Sequence, residues 1–396
     1  MKTQALAFAL LATSVARAAP AFSVVAAVRL NDARTAGLAV NDLGQLAGLC
    51  AYTGQTADKK PKTYEGWTGF LTLADGDAPT IVSPFSGKGV ATFGPGKGRA
   101  FTGQFAAINA LGQAAGDATM ALGTGAKPFY TTHAAVWANG KLNDLGALGG
   151  PLAWSSASGI NASGAVVGSS TTAKGKVHAF LLTGTALSDL GTLGGAASAA
   201  TAINDAGTVV GGSALAKGNV LHPFAYADGT LTDLGLPAGF SEASATAISS
   251  NGVVAGWGTA GKEVASFVLR DGVFTRLGSL YTVGKKPEDG GSHRAKGDDK
   301  GKDKDKGRTQ ATPMWATGVD RDGTVVGNTL DASGKPRAFL FQAGILSDLG
   351  AGLPEDYRGW TVTGANGITD SGYVAAVGLD KSGKAYALLL KLVATG

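Results

Sequence analysis

Short apolar runs rich in Val, Ile, Ala and Phe, each closed by Gly, Asn or Asp, follow one another along nearly the whole chain. Runs of this length bounded by turn residues predict β-strands. One phrase recurs seven times: a small residue, a β-branched residue, a polar turn ending in Gly, then another apolar run. The copies begin at Ala39-Val40-Asn41, Ala107-Ile108-Asn109, Gly159-Ile160-Asn161, Ala202-Ile203-Asn204, Ala247-Ile248-Ser249, Gly318-Val319-Asp320 and Gly367-Ile368-Thr369. Their turn glycines are spaced 68, 52, 43, 45, 71 and 49 residues apart, a period near 45 with two insertions.

Each unit predicts four strands. The Asn/Asp-rich turn joins the first two, because these residues and Gly accept the positive φ of a tight hairpin. A second Gly closes the second strand, as in Val166-Val167-Gly168 and Val325-Val326-Gly327. The third is clearest in His178-Ala179-Phe180-Leu181-Leu182, and the fourth ends in Leu-Gly, as in Leu187 to Gly191. Four strands in about 45 residues is the arithmetic of a propeller blade. The last unit stops after its third strand, Tyr386 to Leu392, whereas an unassigned apolar segment, Phe22 to Leu30, precedes the first unit. Pairing the two gives an all-β fold: a seven-bladed β-propeller of four-stranded blades, closed by an N-terminal strand that completes the last blade. Closure removes the free edges that an open array exposes. An open β-solenoid is the competing architecture; its coils are shorter, and it gains nothing from such a swap.

Composition adds compartment and excludes some partners. Lys2, the apolar run Ala5 to Ala12 and Ala16-Arg17-Ala18 predict a signal peptide over residues 1–18 and export to the periplasm or the medium, leaving one propeller domain over 19–396. No stretch predicts a membrane span. Cys50, the single cysteine, is expected to be a buried apolar filler. The net charge is +5, yet residues 285–310, with nine Lys or Arg and six Asp or Glu, carry +3 of it, and Lys2 and Arg17 carry the rest. The propeller body is therefore neutral, which argues against nucleic acid as a partner. The 285–310 insertion reads as a solvated, disordered stretch, since its Asp residues alternate with Lys and lack the terminal carboxylate of a calcium loop.

His178-Ala179-Phe180-Leu181, followed by Asp189-Leu190-Gly191-Thr192-Leu193-Gly194-Gly195 and then Ala202-Ile203-Asn204-Asp205-Ala206-Gly207, resembles the HAF family of bacterial extracellular repeat proteins. The match is sharp in the second to fourth units; the first, fifth and seventh lack the histidine, and the sixth has Arg337 there. The resemblance implies export and repetition and transfers no active site.

No nucleophile elbow, H-E-x-x-H or paired cysteines occur. His133, His178 and His222 hold one place in successive units, so a propeller spreads them around the ring, and they are expected to bond neighbouring backbone as structural groups. No metal or other cofactor is expected. Aromatic residues break the repeat more suggestively. Trp154, Phe240, Trp315 and Trp360 lie between the last strand of one unit and the first of the next. Flat rings there would stack on sugars or grip an apolar partner; the competing role is to plug gaps between blades. The expected function is a non-enzymatic binding or scaffolding protein, with an extracellular glycan or an envelope protein as its ligand; a secreted hydrolase or lyase on the same ring is the second reading.

Overall fold

The computed structural model describes residues 21–28, 35–55, 63–72, 80–81, 103–122, 129–283 and 310–393. The segment 1–18, expected to be a signal peptide, lies outside them, as does the 285–310 insertion apart from Gln310, and the side chain of Cys50 is likewise not described.

The strands form seven four-stranded antiparallel sheets. In blade 3 these are Ser155–Ile160, Val166–Thr171, Val177–Thr183 and Ala186–Gly191, in that spatial order. Blades 1, 2, 4, 5 and 6 repeat the order over 35–81, 103–146, 194–233, 242–276 and 314–348. First strands touch first strands from each blade to the next, including the last to the first, so the ring is closed and they line its axis. Blade 7 takes three strands from 361–392 and its outermost from Phe22–Val28. That strand pairs with Ala385–Leu392 from Phe22↔Leu392 to Val28↔Ala387. Phe22 is 3% exposed and packs into the cluster of Val362, Leu388 and Leu390, so the latch contributes core as well as hydrogen bonds. Arg29 and Leu30, expected in the same strand, lie outside the described residues.

The repeated residues each have a packing reason. The Gly expected to close the second strand lies inside it instead, with three or more strand residues beyond, and faces the Phe of the third: Gly168↔Phe180, Gly211↔Phe224, Gly256↔Phe267 and Gly327↔Phe339. All four rings are fully buried. A Cβ on Gly168 would lie 2.0 Å from the Ser156 carbonyl oxygen and 2.9 Å from the Phe180 ring, so no side chain fits. The third and fourth strands join through two-residue turns such as Asn139-Gly140, Asp228-Gly229 and Asp271-Gly272, with positive φ at both positions. This is the type I′ turn that Asn-Gly and Asp-Gly favour.

Two belts of side-chain hydrogen bonds tie the first strands together. All seven carry a β-bulge at the same place, for example between Ala157 and Gly159 or between Ala316 and Gly318. The extra residue is a hydroxyl in blades 3 to 6, and it donates to a carbonyl of the next blade: Ser158 to Ala200 at 2.7 Å, Thr201 to Ala245 at 3.0 Å, Thr246 to Ala316 at 2.8 Å and Thr317 to Ala365 at 2.7 Å. The second belt runs through the turns that follow. Asn41, Asn109, Asn161 and Asn204 each donate Nδ2 to a backbone carbonyl of the next turn, at 2.8 to 3.2 Å. Where Ser249, Asp320 and Thr369 replace Asn, neighbouring groups carry the link. Asn251 Nδ2 donates to the Arg321 carbonyl (3.0 Å), Arg321 N–H to Asp370 Oδ1 (2.7 Å) and Ser371 N–H to Asp42 Oδ1 (2.9 Å), which closes the circle.

Candidate functional site

The ring has two unlike ends. One carries the turns between first and second strands, nearly constant in length, around an axial cavity of about 220 Å³ lined by Val40, Ile108, Ile160, Ile203, Ile248 and their polar neighbours. The polar groups of those turns are largely used up in the belt. The other end carries the connections between blades, and these differ widely. Thr192 and Leu193 suffice between blades 3 and 4; residues 147–154 join blades 2 and 3; 349–360, with two short 3₁₀ turns, join blades 6 and 7; and 277–313 join blades 5 and 6. Within the last, Thr282–Val283 pairs with Gln310–Ala311, so the charged insertion leaves from this end through a two-stranded ribbon.

The four aromatic candidates all belong to this variable end, in different surroundings. Trp154 is 40% exposed and stands beside Leu152, which is 71% exposed. Trp315 is half-buried on the first strand of blade 6, opposite Asn328. Trp360 is half-buried between Tyr357, with ring centroids 5.0 Å apart, and Tyr386, at 4.8 Å. Phe240 is 8% exposed and sets its ring edge-on to Phe267 at 6.1 Å; it packs on blade 5 with Ala243, Ala260 and Ala265 and leaves little surface to offer.

The histidines lie at the same end. Their partner is a carboxylate: Nδ1 of His133, His178 and His222 lies 2.9 to 3.0 Å from Asp144, Asp189 and Asp233 on the fourth strand. Each of these Asp residues also accepts the N–H of the Gly two residues on, at 2.8 Å, which accounts for the Asp-Leu-Gly motif. The backbone contact expected from the sequence is present at His133 alone among the three, where Nε2 lies 3.1 Å from the Pro151 carbonyl. With acceptors at both ring nitrogens the imidazolium is favoured: the Asp144 hydrogen bond raises the His133 pKa against the opposing effect of burial. In blade 6, Asp348 instead accepts the Tyr281 hydroxyl at 2.5 Å; burial and that carboxylate push the phenol up to about 12.

Blade 5 departs from this scheme. Ala265 stands where blades 2 to 4 place His, and Arg276 where blades 2, 3, 4 and 6 place Asp. Arg276 pairs with Glu263 at 2.8 Å and lies 5.8 Å above the Phe240 ring. The following strand opens with Met314, where blade 3 has Ser155. A cavity of about 300 Å³ lies here, lined by Glu263, Ala265, Arg276, Leu277, Thr312 and Met314 among others. The sign of it in the sequence is the histidine that the fifth repeat lacks, an absence shared with the first and seventh and therefore not distinctive.

Among the described residues no three His, Cys, Asp or Glu side chains are placed to hold a metal ion, and no helix is long and apolar enough to cross a membrane.

No family model matches the chain, and no curated protein does. Similar solved structures include a putative TolB from Agrobacterium tumefaciens, at 13% identity over 70% of this chain and 87% of that one, with a TM-score of 0.39. TolB from Acinetobacter baumannii is 11% identical over 88% of this chain and 64% of that one, with a TM-score of 0.37. A Bombyx mori GH32 β-fructofuranosidase is 10% identical over 94% and 92%, with a TM-score of 0.23. The fold rests on this chain's own strand order, and these likenesses add no function to it.

Proposed function

We propose that the protein is an exported, non-enzymatic binding or scaffolding module that engages a glycan or an envelope protein through the end of the ring carrying the blade-to-blade connections. One observation carries this reading: the two ends of the same repeat are unlike. The turns at one end are near-uniform and consumed by the hydrogen-bonded belt, while the connections at the other range from two residues to the long 277–313 excursion. In repeat proteins such variation collects on the face that meets the ligand. Trp154 and Leu152 place exposed apolar surface there, suited to stacking on a sugar ring or gripping a partner. Export follows from the signal-like segment 1–18 and from the His-Ala-Phe resemblance, which also supports a repeat protein of the bacterial exterior.

The test is an array of polysaccharides and cell-envelope glycans probed with the mature protein, with calcium and with chelator, beside a parallel screen against purified envelope proteins. Binding that falls at least about ten-fold in Trp154→Ala, with an unchanged melting temperature, supports the reading. Binding indifferent to Trp154→Ala, Trp315→Ala and Trp360→Ala overturns it.

A further inference from the structure

We infer that the cavity between blades 5 and 6 is a subsite for a neutral, polyhydroxylated ligand of the size of one sugar residue; this deepens the reading above and rests on it. Three departures from the repeat coincide here. Ala265 removes the imidazole that occupies this place in blades 2 to 4, Arg276 replaces the carboxylate, and Met314 replaces a buried serine, giving an apolar floor with Leu277. About 300 Å³ is at the lower end of the range for small-molecule pockets.

The rim sets the ligand's chemistry. Arg276 gives Nη2 to Glu263 Oε2 at 2.8 Å, and the pair is net neutral. A guanidinium carries five N–H donors and a carboxylate about four acceptor sites, so one bond between them leaves donors and acceptors side by side. Vicinal hydroxyls meet both at once, accepting from the guanidinium and donating to the carboxylate while the ion pair stays intact. An anionic or cationic ligand would have to compete with the partner already in place. The C–H face of a sugar ring would then lie toward the half-buried Val264 and Ala311 of the lining, with Met314 and Leu277, both 2% exposed or less, closing the base beneath. Phe240 holds the guanidinium from the far side, so Arg276 does not depend on the ligand for its position.

Methionine methyl NMR gives a local probe, since the chain has three methionines: Met1 in the signal-like segment, Met120 in blade 2 and Met314 at the cavity. The full mature protein, ¹³C-methyl-labelled, is titrated with methyl glucoside, galactoside, mannoside and N-acetylglucosaminide, and with acetate and methylammonium as charged controls. The expected result is a saturable shift of Met314, with Met120 still, for at least one glycoside and neither control. Ala265→His combined with Arg276→Asp restores the pair of blades 2 to 4, fills the cavity and should abolish the shift in a folded ring. Arg276→Lys, a surface change that keeps the charge but loses the fork, should weaken it at least about ten-fold and serves if the double variant does not fold. No Met314 shift with any glycoside, a shift from the charged controls instead, or one that survives Arg276→Lys unchanged overturns the subsite. Glycan binding lost in Trp154→Ala while Met314 stays silent would leave the wider binding end standing and remove only the subsite.

Discussion

Asn161 Nδ2 reaches the carbonyl of Asn204 in the next blade at 3.2 Å while its Oδ1 accepts the Ala165 N–H of its own turn at 2.9 Å. One buried side chain thus shapes a hairpin and ties it to its neighbour. Asn161→Asp keeps the acceptor and turns the donor into an oxygen facing a carbonyl. It should cost about 1–3 kcal/mol in urea unfolding, more than the same change at an exposed turn. A cost within error would show that the belt is ornamental to stability.

Gly168 has no room for a methyl group between the Ser156 carbonyl and the Phe180 ring. Gly168→Ala should destabilise by about 3 kcal/mol or more, whereas Gly175→Ala, whose added Cβ meets nothing within 4 Å, should cost only its positive-φ strain of about 1–2 kcal/mol. Thermal unfolding of the two variants separates crowding from backbone conformation.

The latch makes a sharper demand. Phe22→Ala should cost about 3–5 kcal/mol, as expected for a buried aromatic, and deleting residues 22–28 should yield aggregates, because the Ala385–Leu392 edge loses its partner. Monomeric, cooperatively folding protein without these residues would refute closure by the N-terminus.

Asp117 in blade 2 buries one carboxylate oxygen with no hydrogen-bond partner, and burial raises its pKa above the usual 3.8. The unfolded chain ionises first, so stability falls as pH rises from 3.8 through the folded-state value and stays lower above it. Asp117→Asn should therefore stabilise the protein at pH 7, by about 1–2 kcal/mol, with the gain vanishing near pH 3.8 and below. Chemical unfolding at pH 4 and pH 7 reads the difference.

His133 moves stability in the same direction with pH, but in a higher window. Its raised folded-state pKa gives stability that is complete below the unfolded value of 6.5 and lost as pH rises through the folded one. Asp144→Asn should flatten that dependence, as followed by melting temperature from pH 5.5 to 9.

Blade number and ring closure were legible in the sequence because repetition made each unit a check on the others, and the leftover strands at the two ends matched one missing place. The Asp partners of the histidines were missed although the signal was there: each histidine precedes its Asp by the same interval in three units, at 133 and 144, 178 and 189, and 222 and 233. The belt of bulge hydroxyls was missed because a Thr before a small residue in a strand has an ordinary β-propensity explanation. Phe240 and Trp154 occupy like places in the chain yet one is buried and the other exposed. What separates them is the Phe267 ring and the Arg276 guanidinium of the adjoining blade, which no reading of the local sequence contains.

In blade 7 the outermost strand belongs to the opposite end of the chain from its neighbour, and the Val393 N–H reaches the Ala21 carbonyl at 2.9 Å. The ring is therefore already cut, in effect, between the third and fourth strands of one blade, the place where the Asp228-Gly229 turn bridges blade 4. Joining residue 393 to residue 21 and opening the chain at that turn would move the seam three blades round while keeping every strand pair. The geometry thus holds the ring together by its circular order of blades, indifferent to which of them contains the ends.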